Sequence, residues 1–384
     1  MNLIVNINKF YYIYFILFFF LAIFLGRVAG APPAYLAMYG LSSLLIYNNF
    51  YKYKINIPKM VKVLFIFFTI YFFYSMFITV HPISTIKYYV MWILNISVVY
   101  FILKLKNIEK FLDFYLMFIT LASLLGVVLH FSGTFYSSNP FDAFNKNSYI
   151  FLVMLAISIS LYKEKKYHLY IILISSVFIY SRTLYLMLIV SFLFYMLSVM
   201  RLKTFLQLIL ISVFLLFIMF NISENNFIVE RIQQSFVLVE RLYEFFQYSD
   251  LSLGQGIGDH QRFYVIISNI DLLTEVFPIG TGMGLENYLS HINPMYSDYL
   301  HNGGSHRAHN YYISYLGEMG LFFFIFTYIL YKPLFLDTNI FFKSLYFGML
   351  VGIATNEYIT SPYFWILFAL MYRVYYQERN LKSA

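Results

Sequence analysis

The chain has 384 residues, of which 61% are hydrophobic, 22% aromatic and 11% charged, with a mean hydropathy of +0.70. An average soluble domain is about 45–50% apolar and about 25% charged, so the composition excludes a soluble globular protein and points to an all-α polytopic membrane protein. The absence of cysteine excludes disulfides, a thiolate nucleophile and Cys-ligated metals. The formal net charge of +8 is distributed as a membrane topology requires, which speaks against nucleic acid as a partner.

Apolar runs that can cross a hydrocarbon core of roughly 30 Å fall at 10–26, 33–47, 63–80, 88–103, 111–131, 148–162, 169–181, 183–200, 204–222, 311–331, 344–356 and 363–377. The stretch 169–200 is too long for one helix, and Arg182 marks its middle, so it reads as two short helices with Arg182 at the turn. This gives about twelve transmembrane helices: helices 1–9 over residues 1–222, a long loop over 223–308, and helices 10–12 over 309–384. The first run, followed by VAGAP, mimics a signal peptide; Pro32 and Pro33 disfavour cleavage, and the run is taken as the first span.

The positive-inside rule supports this layout. With a cytoplasmic N-terminus, the inner segments carry Lys9, Lys52, Lys54, Lys59, Lys62, Lys104, Lys106, Lys110, Lys163, Lys165, Lys166, Arg201, Lys203, Lys332, Lys343, Arg373, Arg379 and Lys382. The outer side keeps Arg27, Lys87, Lys146, Arg182, Arg231, Arg241, Arg262 and Arg307. Both termini are therefore expected in the cytoplasm. The inner cations are mostly Lys and the outer ones mostly Arg. Orientation needs only a cation, whereas the Arg fork grips phosphate or carboxylate at two points. The outer face therefore reads as selected for anion binding; the alternative is chance in a small sample.

The one long loop, about 223–308, lies on the outer side and carries helices of its own. Residues 227–247 place Ile228, Ile232, Phe236, Val239 and Phe246 at helical spacing, with Glu230, Arg231, Gln234, Arg241 and Glu244 largely elsewhere. They read as an amphipathic helix lying on the outer leaflet. A second helix is expected at 259–277, with Asp259 as N-cap, Arg262 in the first turn, a buried stripe of Phe263, Ile266, Ile267, Ile270, Leu273 and Phe277, and Pro278 as terminator. An Arg at the positive end of a helix makes sense if an anion binds there; the alternative is a surface Arg paired with Asp259. The glycines of IGTGMGLENY, Gly280, Gly282 and Gly284, let backbone approach a ligand or another helix closely. No strand precedes them and no GKS or GKT follows, so they are not a nucleotide loop.

His309 and Asn310 begin the tenth span. At about 100° per residue, Gly320 falls within about 20° of the line of His309, three turns deeper. Small residues on that line favour close helix approach. Glu318 falls on the opposite face, roughly 13 Å deeper. It is therefore no acid–base partner of His309 and reads as structural, holding a neighbouring helix by a hydrogen bond. Desolvation and the positive helix end favour a neutral His309 able to accept a proton; the alternative is a polar residue at the membrane interface. His301, His306 and His309 fit no strong zinc spacing and lack the Glu of HExxH, so no metal site is expected.

These residues resemble the O-antigen ligase/polymerase superfamily. Its signature runs His, then Asn, Ser or Gln, nine residues, Gly, two residues, then Gly, Thr or Tyr. His309, Asn310 and Gly320 fit, and Phe323 departs from the last place. GTGMGLENY resembles the Gly-rich turn before that His, and Arg262 a family Arg upstream of it. SRTLYL with Arg182 resembles a Ser-Arg segment at the outer end of a mid-chain helix, and NPFDAFNKNSYI an Asn-bearing segment. The resemblance covers about 145–331; the first 130 residues match only in span pattern.

The resemblance implies a GT-C-like integral membrane glycosyltransferase of the bacterial inner membrane with a periplasmic active site. The implied donor is an oligosaccharide on undecaprenyl pyrophosphate. Arg182 and Arg262 would hold the pyrophosphate, and His309 would orient or deprotonate the attacking sugar hydroxyl. Arg307, His306, Asn310, Gly282 and Gly284 would assist substrate binding, while Gly320 and Glu318 would be structural. Pyrophosphate is a good leaving group, so neither a metal nor a nucleotide cofactor is required. Phe323 and the high Phe, Tyr and Ile content favour a polymerase over a ligase; a chain-length regulator would be a polymerase's further partner. A flippase or other transporter is the alternative from another class. It would show internal repeats and interrupted helices with polar groups near mid-membrane. No repeat is visible, and the polar cluster lies at the outer rim.

Overall fold

The structure, a computed structural model, describes residues 40, 57–105, 108–133, 146–179, 181–199, 227–254, 260–299, 310–354, 358–360 and 362–382. The runs expected at 10–26 and 204–222, and that at 33–47 apart from residue 40, lie outside them. Every regular element among the described residues is helical. The α-helices are α1 (Lys59–Ile78), α2 (Pro82–Lys104), α3 (Ile108–Phe131), α4 (Lys146–Tyr162), α5 (Lys166–Val177), α6 (Arg182–Val199), α7 (Phe227–Tyr248), α8 (His260–Val276), α9 (Leu285–Leu289), α10 (Tyr311–Met319), α11 (Phe322–Tyr331), α12 (Ile340–Gly352) and α13 (Pro362–Lys382). Short 3-10 turns occupy Leu251–Gly254, Pro294–Tyr299, Lys332–Phe335 and Tyr358–Thr360. Among these, α1, α2 and α3 are long and apolar enough to cross a membrane. Several others are apolar but shorter: Tyr149–Tyr162, Thr183–Val199, Phe322–Phe335 and Ile340–Gly352.

The chain divides into two compact units. One comprises Met1–Tyr74, Ile86–Tyr195 and Phe324–Ala384. Within it α4 is the central helix, packed by α3, α5, α12 and α13. It is apolar all round, as a helix enclosed on every side must be, and Tyr149 to Ser160 are buried. Stacked and edge-on rings form a second focus: Phe68 lies 4.3 Å from Trp92, and Trp92 lies 5.9 Å from Trp365. Two of its cations are held by named partners. Lys163 reaches Asp113 at 2.6 Å and Glu109 at 3.0 Å. Arg373 donates to the carbonyls of Leu103 at 2.7 Å, in the last turn of α2, and Leu105 at 3.3 Å, just beyond it. The expected break near Arg182 is present: α5 ends at Val177 and α6 starts at Arg182.

The other unit comprises Ser75–Thr85 and Met196–Phe323. Here α8 is central and packs against α7, α10 and the turns at 251–254 and 294–299. Phe263, Tyr264, Val265, Ile267 and Tyr296 form its core, covered by Leu238, Leu242 and Phe245 of α7. Leu272, Tyr288 and Ile292 form a second cluster. Both helices expected in the long loop are there, but the stripe on α8 is rotated. Its buried positions include Tyr264, Val265, Ser268, Asn269 and Leu272, while Phe277 is exposed. The buried Asn269 and Ser268 make hydrogen bonds that apolar periodicity does not register.

The run at 311–331 also differs from a single span. It forms α10 and α11, interrupted at Gly320 and Leu321. Gly320 has φ +54, and a β-carbon there would collide with the carbonyl oxygen of Pro278. The straight helix that placed Gly320 under His309 therefore ends at Met319, and the close approach at Gly320 is to the 278–279 backbone.

Candidate functional site

The site is built around α10, the short helix that directly follows His309. The first N–H groups of a helix have no partner inside it. Here the side chain of Asn310, extended at φ −133 and ψ 115, accepts from the amides of Tyr312 at 2.9 Å and Ile313 at 3.2 Å. The second residue of the His-Asn pair is thus an N-cap, a job for which Asn and Ser rank among the best.

The other end of α10 is held by the glycine-rich segment. The amide of Thr281 donates to the carbonyl of Gly317 at 3.0 Å, and that of Gly282 to the carbonyl of Glu318 at 3.1 Å. The amide of Leu321 returns to the carbonyl of Pro278 at 3.0 Å. These bonds take up carbonyls that a helix terminus leaves without intrahelical donors. The contact is close enough that a β-carbon at Gly280 would stand 2.6 Å from the Glu318 carbonyl oxygen.

Glu318 is fully buried, and its Oε1 accepts from the amide of Gly284 at 3.2 Å. Its partner is thus the turn before α9. The amides of Gly282 and Gly284, considered from sequence as ligand contacts, both donate within the chain. Beside them, Gly317 brings α10 onto Leu272 and Tyr288, whose atoms would lie 3.0 Å from a β-carbon at that position. The Tyr288 hydroxyl donates to Oδ1 of Asn269, and Nδ2 of Asn269 donates to the Val265 carbonyl at 2.6 Å. Burial pushes the Tyr296 hydroxyl up to about 12, with the carboxylates of Asp271 and Glu275 adding to the shift.

Arg262 is the third residue of α8, in its first turn, as expected; Arg182 is the first residue of α6. The Ser181 hydroxyl accepts from the amide of Leu184 at 3.4 Å, so the Ser-Arg pair also starts a helix on a side-chain cap. The side chains of both arginines, and residues His306, Arg307 and His309 entirely, lie outside what the structure describes. So does Asp259, the expected cap of α8. Phe323, the departure from the signature, packs its ring 5.6 Å from that of Tyr311 and 6.4 Å from that of Tyr312. The turn at Gly320 carries it toward the first turn of α10.

Residues 168–328 match the family model described as O-antigen ligase. This match supports a relation of residues 168–328 to the O-antigen ligase/polymerase superfamily. No curated protein and no solved structure matches the chain. The match supports an O-antigen ligase/polymerase type of function in general; members of that family are glycosyltransferase-like enzymes. The matched segment contains Arg182, Arg262, the glycine-rich turn, His309 and α10.

Some residues of the site were not singled out from sequence. Asn287 is fully buried in α9, and its partners Thr79 and Thr85 stand more than 200 positions away, outside the matched segment. The only local signal was Asn287 itself, a polar residue among the apolar neighbours of GLENYL.

Proposed function

We propose that the protein is a surface-polysaccharide polymerase. It joins oligosaccharide repeat units carried on undecaprenyl pyrophosphate at the periplasmic face of the inner membrane. The observation that carries this reading is α10: a short helix in the family segment, capped by Asn310 immediately after His309 and tied at its far end to the glycine-rich turn. About twelve spans with cytoplasmic termini would hold this assembly, with the outer loop at 223–308 between helices 1–9 and 10–12. The exposed apolar face of α7 would lie along the outer leaflet.

In this reading an acceptor sugar hydroxyl attacks the anomeric carbon of the donor. The new C–O bond forms as the bond to pyrophosphate breaks, and the lipid pyrophosphate leaves with the electron pair. The hydroxyl proton passes to a neutral His309. Arg182 and Arg262 hold the pyrophosphate and stabilise its growing charge, with Arg307 and His306 supplementing the anion site. No metal or nucleotide enters the reaction. Gly282 and Gly284 serve by placing α10, Asn310 by starting it, and Glu318 and Gly320 by securing its end. A chain-length regulator is the expected protein partner.

The family description as O-antigen ligase favours a second reading, in which finished polymer moves to lipid A–core. One experiment separates the two. A deletion strain is complemented with wild type or His309→Ala, and its lipopolysaccharide is resolved on a gel. Loss of one such group costs roughly 10²–10³ in rate, so the ladder should collapse in the variant. Core bearing a single repeat identifies a polymerase; bare core with polymer stranded on the carrier identifies a ligase. A normal ladder from His309→Ala would sink the assignment of that residue.

A further inference from the structure

The hairpin tip Ser75–Thr85, made of the last turn of α1, the short link and the first turn of α2, lies outside the family-matched segment but belongs to the same compact unit as α8, α9 and α10. It grips the glycine-rich strap by side-chain bonds. The Ser75 hydroxyl accepts from the amide of Met283 at 3.0 Å, and the Thr85 hydroxyl donates to the carbonyl of Met283 at 2.9 Å. Asn287, one turn further on, has three of its four hydrogen bonds with the same hairpin. Its Oδ1 accepts from the Thr79 hydroxyl at 2.6 Å and the His81 amide at 2.7 Å. Its Nδ2 donates to the Thr85 hydroxyl at 2.9 Å and the Met283 carbonyl at 2.8 Å. Ser84 closes over Gly284, where a β-carbon would meet its hydroxyl oxygen at 2.6 Å.

The strap is therefore bound on two sides in alternation. The amides of Thr281, Gly282 and Gly284 go to α10, through the carbonyls of Gly317 and Glu318 and the Glu318 carboxylate. Both backbone groups of Met283 go to the hairpin. Buried hydrogen-bond networks of this kind are rigid when fully satisfied. These bonds connect the hairpin, through Met283 and its neighbours, to the helix that follows His309.

We propose that Thr79, Thr85 and Asn287 are positioning residues: they fix the strap that sets α10 and, through it, the reacting group at its N-terminal end. This rests on the reading of His309 given above. It also assigns to the first third of the chain a part in the site that the family match does not cover.

The test compares Thr79→Val/Thr85→Val with Thr79→Ser/Thr85→Ser in the full-length purified protein, using a lipid-pyrophosphate oligosaccharide donor. Valine keeps the shape of threonine and removes the hydroxyl; serine keeps the hydroxyl. A misplacement of about 1 Å can cost roughly 100-fold in rate, so the valine pair should lower kcat by about 10–100-fold and change the donor KM by less than about threefold. The serine pair should stay within a few-fold of wild type. Hydrogen exchange over Tyr311–Met319 should quicken in the valine pair alone. Unchanged kcat in the valine pair overturns the proposal, as does a loss that serine fails to restore. It is equally overturned by a loss fully accounted for by less folded protein, or by exchange at 311–319 that does not move. A parallel His309→Ala arm keeps the two levels apart. Full activity there removes His309 from the reaction, whereas an inactive His309→Ala beside a fully active valine pair removes only the positioning role.

Discussion

Asn310 is the residue at which sequence and structure are most informative together. The spacing of the His-Asn pair ahead of an apolar run marked a helix start, but not which atoms start it. The structure commits Oδ1 of Asn310 to the amides of Tyr312 and Ile313, so the side chain has a local task whatever the substrate. Replacing an N-cap by Ala costs about 1 kcal/mol, whereas Asp and Ser cap nearly as well as Asn. Asn310→Ala is therefore expected to lower the melting temperature and shorten the polysaccharide ladder, and Asn310→Ser or Asn310→Asp to preserve both. A serine variant that is stable yet inactive would mean that the amide serves the glycan. Asn287 marks where residue-level reading stops. Nothing near it names Thr79 or Thr85, because side-chain hydrogen bonds over such separations leave no periodic trace.

At the scale of elements, periodicity located α7 and α8 well and assigned their faces less well. On α7 the apolar arc is wide enough to serve two surroundings. Leu238, Leu242 and Phe245 pack on the core of α8. Phe236, Val239, Tyr243 and Phe246 remain 69%, 64%, 64% and 59% exposed. A hydrophobic count sees one stripe, since lipid and protein interior are alike to it. Truncating a packed leucine costs roughly 2–5 kcal/mol, less where burial is partial, and most surface changes stay within about 0.5 kcal/mol. In detergent, Leu242→Ala should lower the melting temperature clearly and Val239→Ala scarcely; equal effects would refute this assignment of faces. The interruption at Gly320 was also invisible to hydropathy, because LGEMGLFFF is apolar on both sides of the break save for Glu318. What breaks the helix is a neighbour, the backbone at Pro278 and Ile279, that only the folded chain supplies. An interrupted helix had been a mark expected of a transporter. Here the carbonyls of Gly317 and Glu318 receive the amides of Thr281 and Gly282, which leaves the break explained by protein contacts and gives a transporter no support.

For the whole molecule, composition established the membrane class, and the charge pattern supplied an orientation that the helices alone do not carry. The cysteine-free sequence makes that orientation easy to examine. A single thiol at Ser252→Cys, in the outer loop, should react with a membrane-impermeant maleimide on intact spheroplasts. One at Tyr167→Cys, beside the lysines of the α4–α5 connection, should react only after permeabilisation; the reverse pattern would invert the topology. Both positions are exposed, so access to the reagent is decided by the membrane. Most of the helical architecture between residues 227 and 277 was legible because helices with mixed faces announce themselves. The joining of the α1–α2 turn to the glycine strap was not, since it is a tertiary fact between short polar segments.

The ties at residues 281 and 282 have a consequence for how such a protein diversifies. They fix the far end of α10 from a point upstream of the whole connection between α9 and α10. The strap and the helix are thus held together without help from the chain that joins them. Lengthening a loop whose ends are already pinned costs little, about 0.6 kcal/mol for each doubling. Exposed positions of that connection, such as Pro294 and Met295, can thus be exchanged or extended while the helix after His309 keeps its place, whereas Ile292 and Tyr296, packed in the core, cannot.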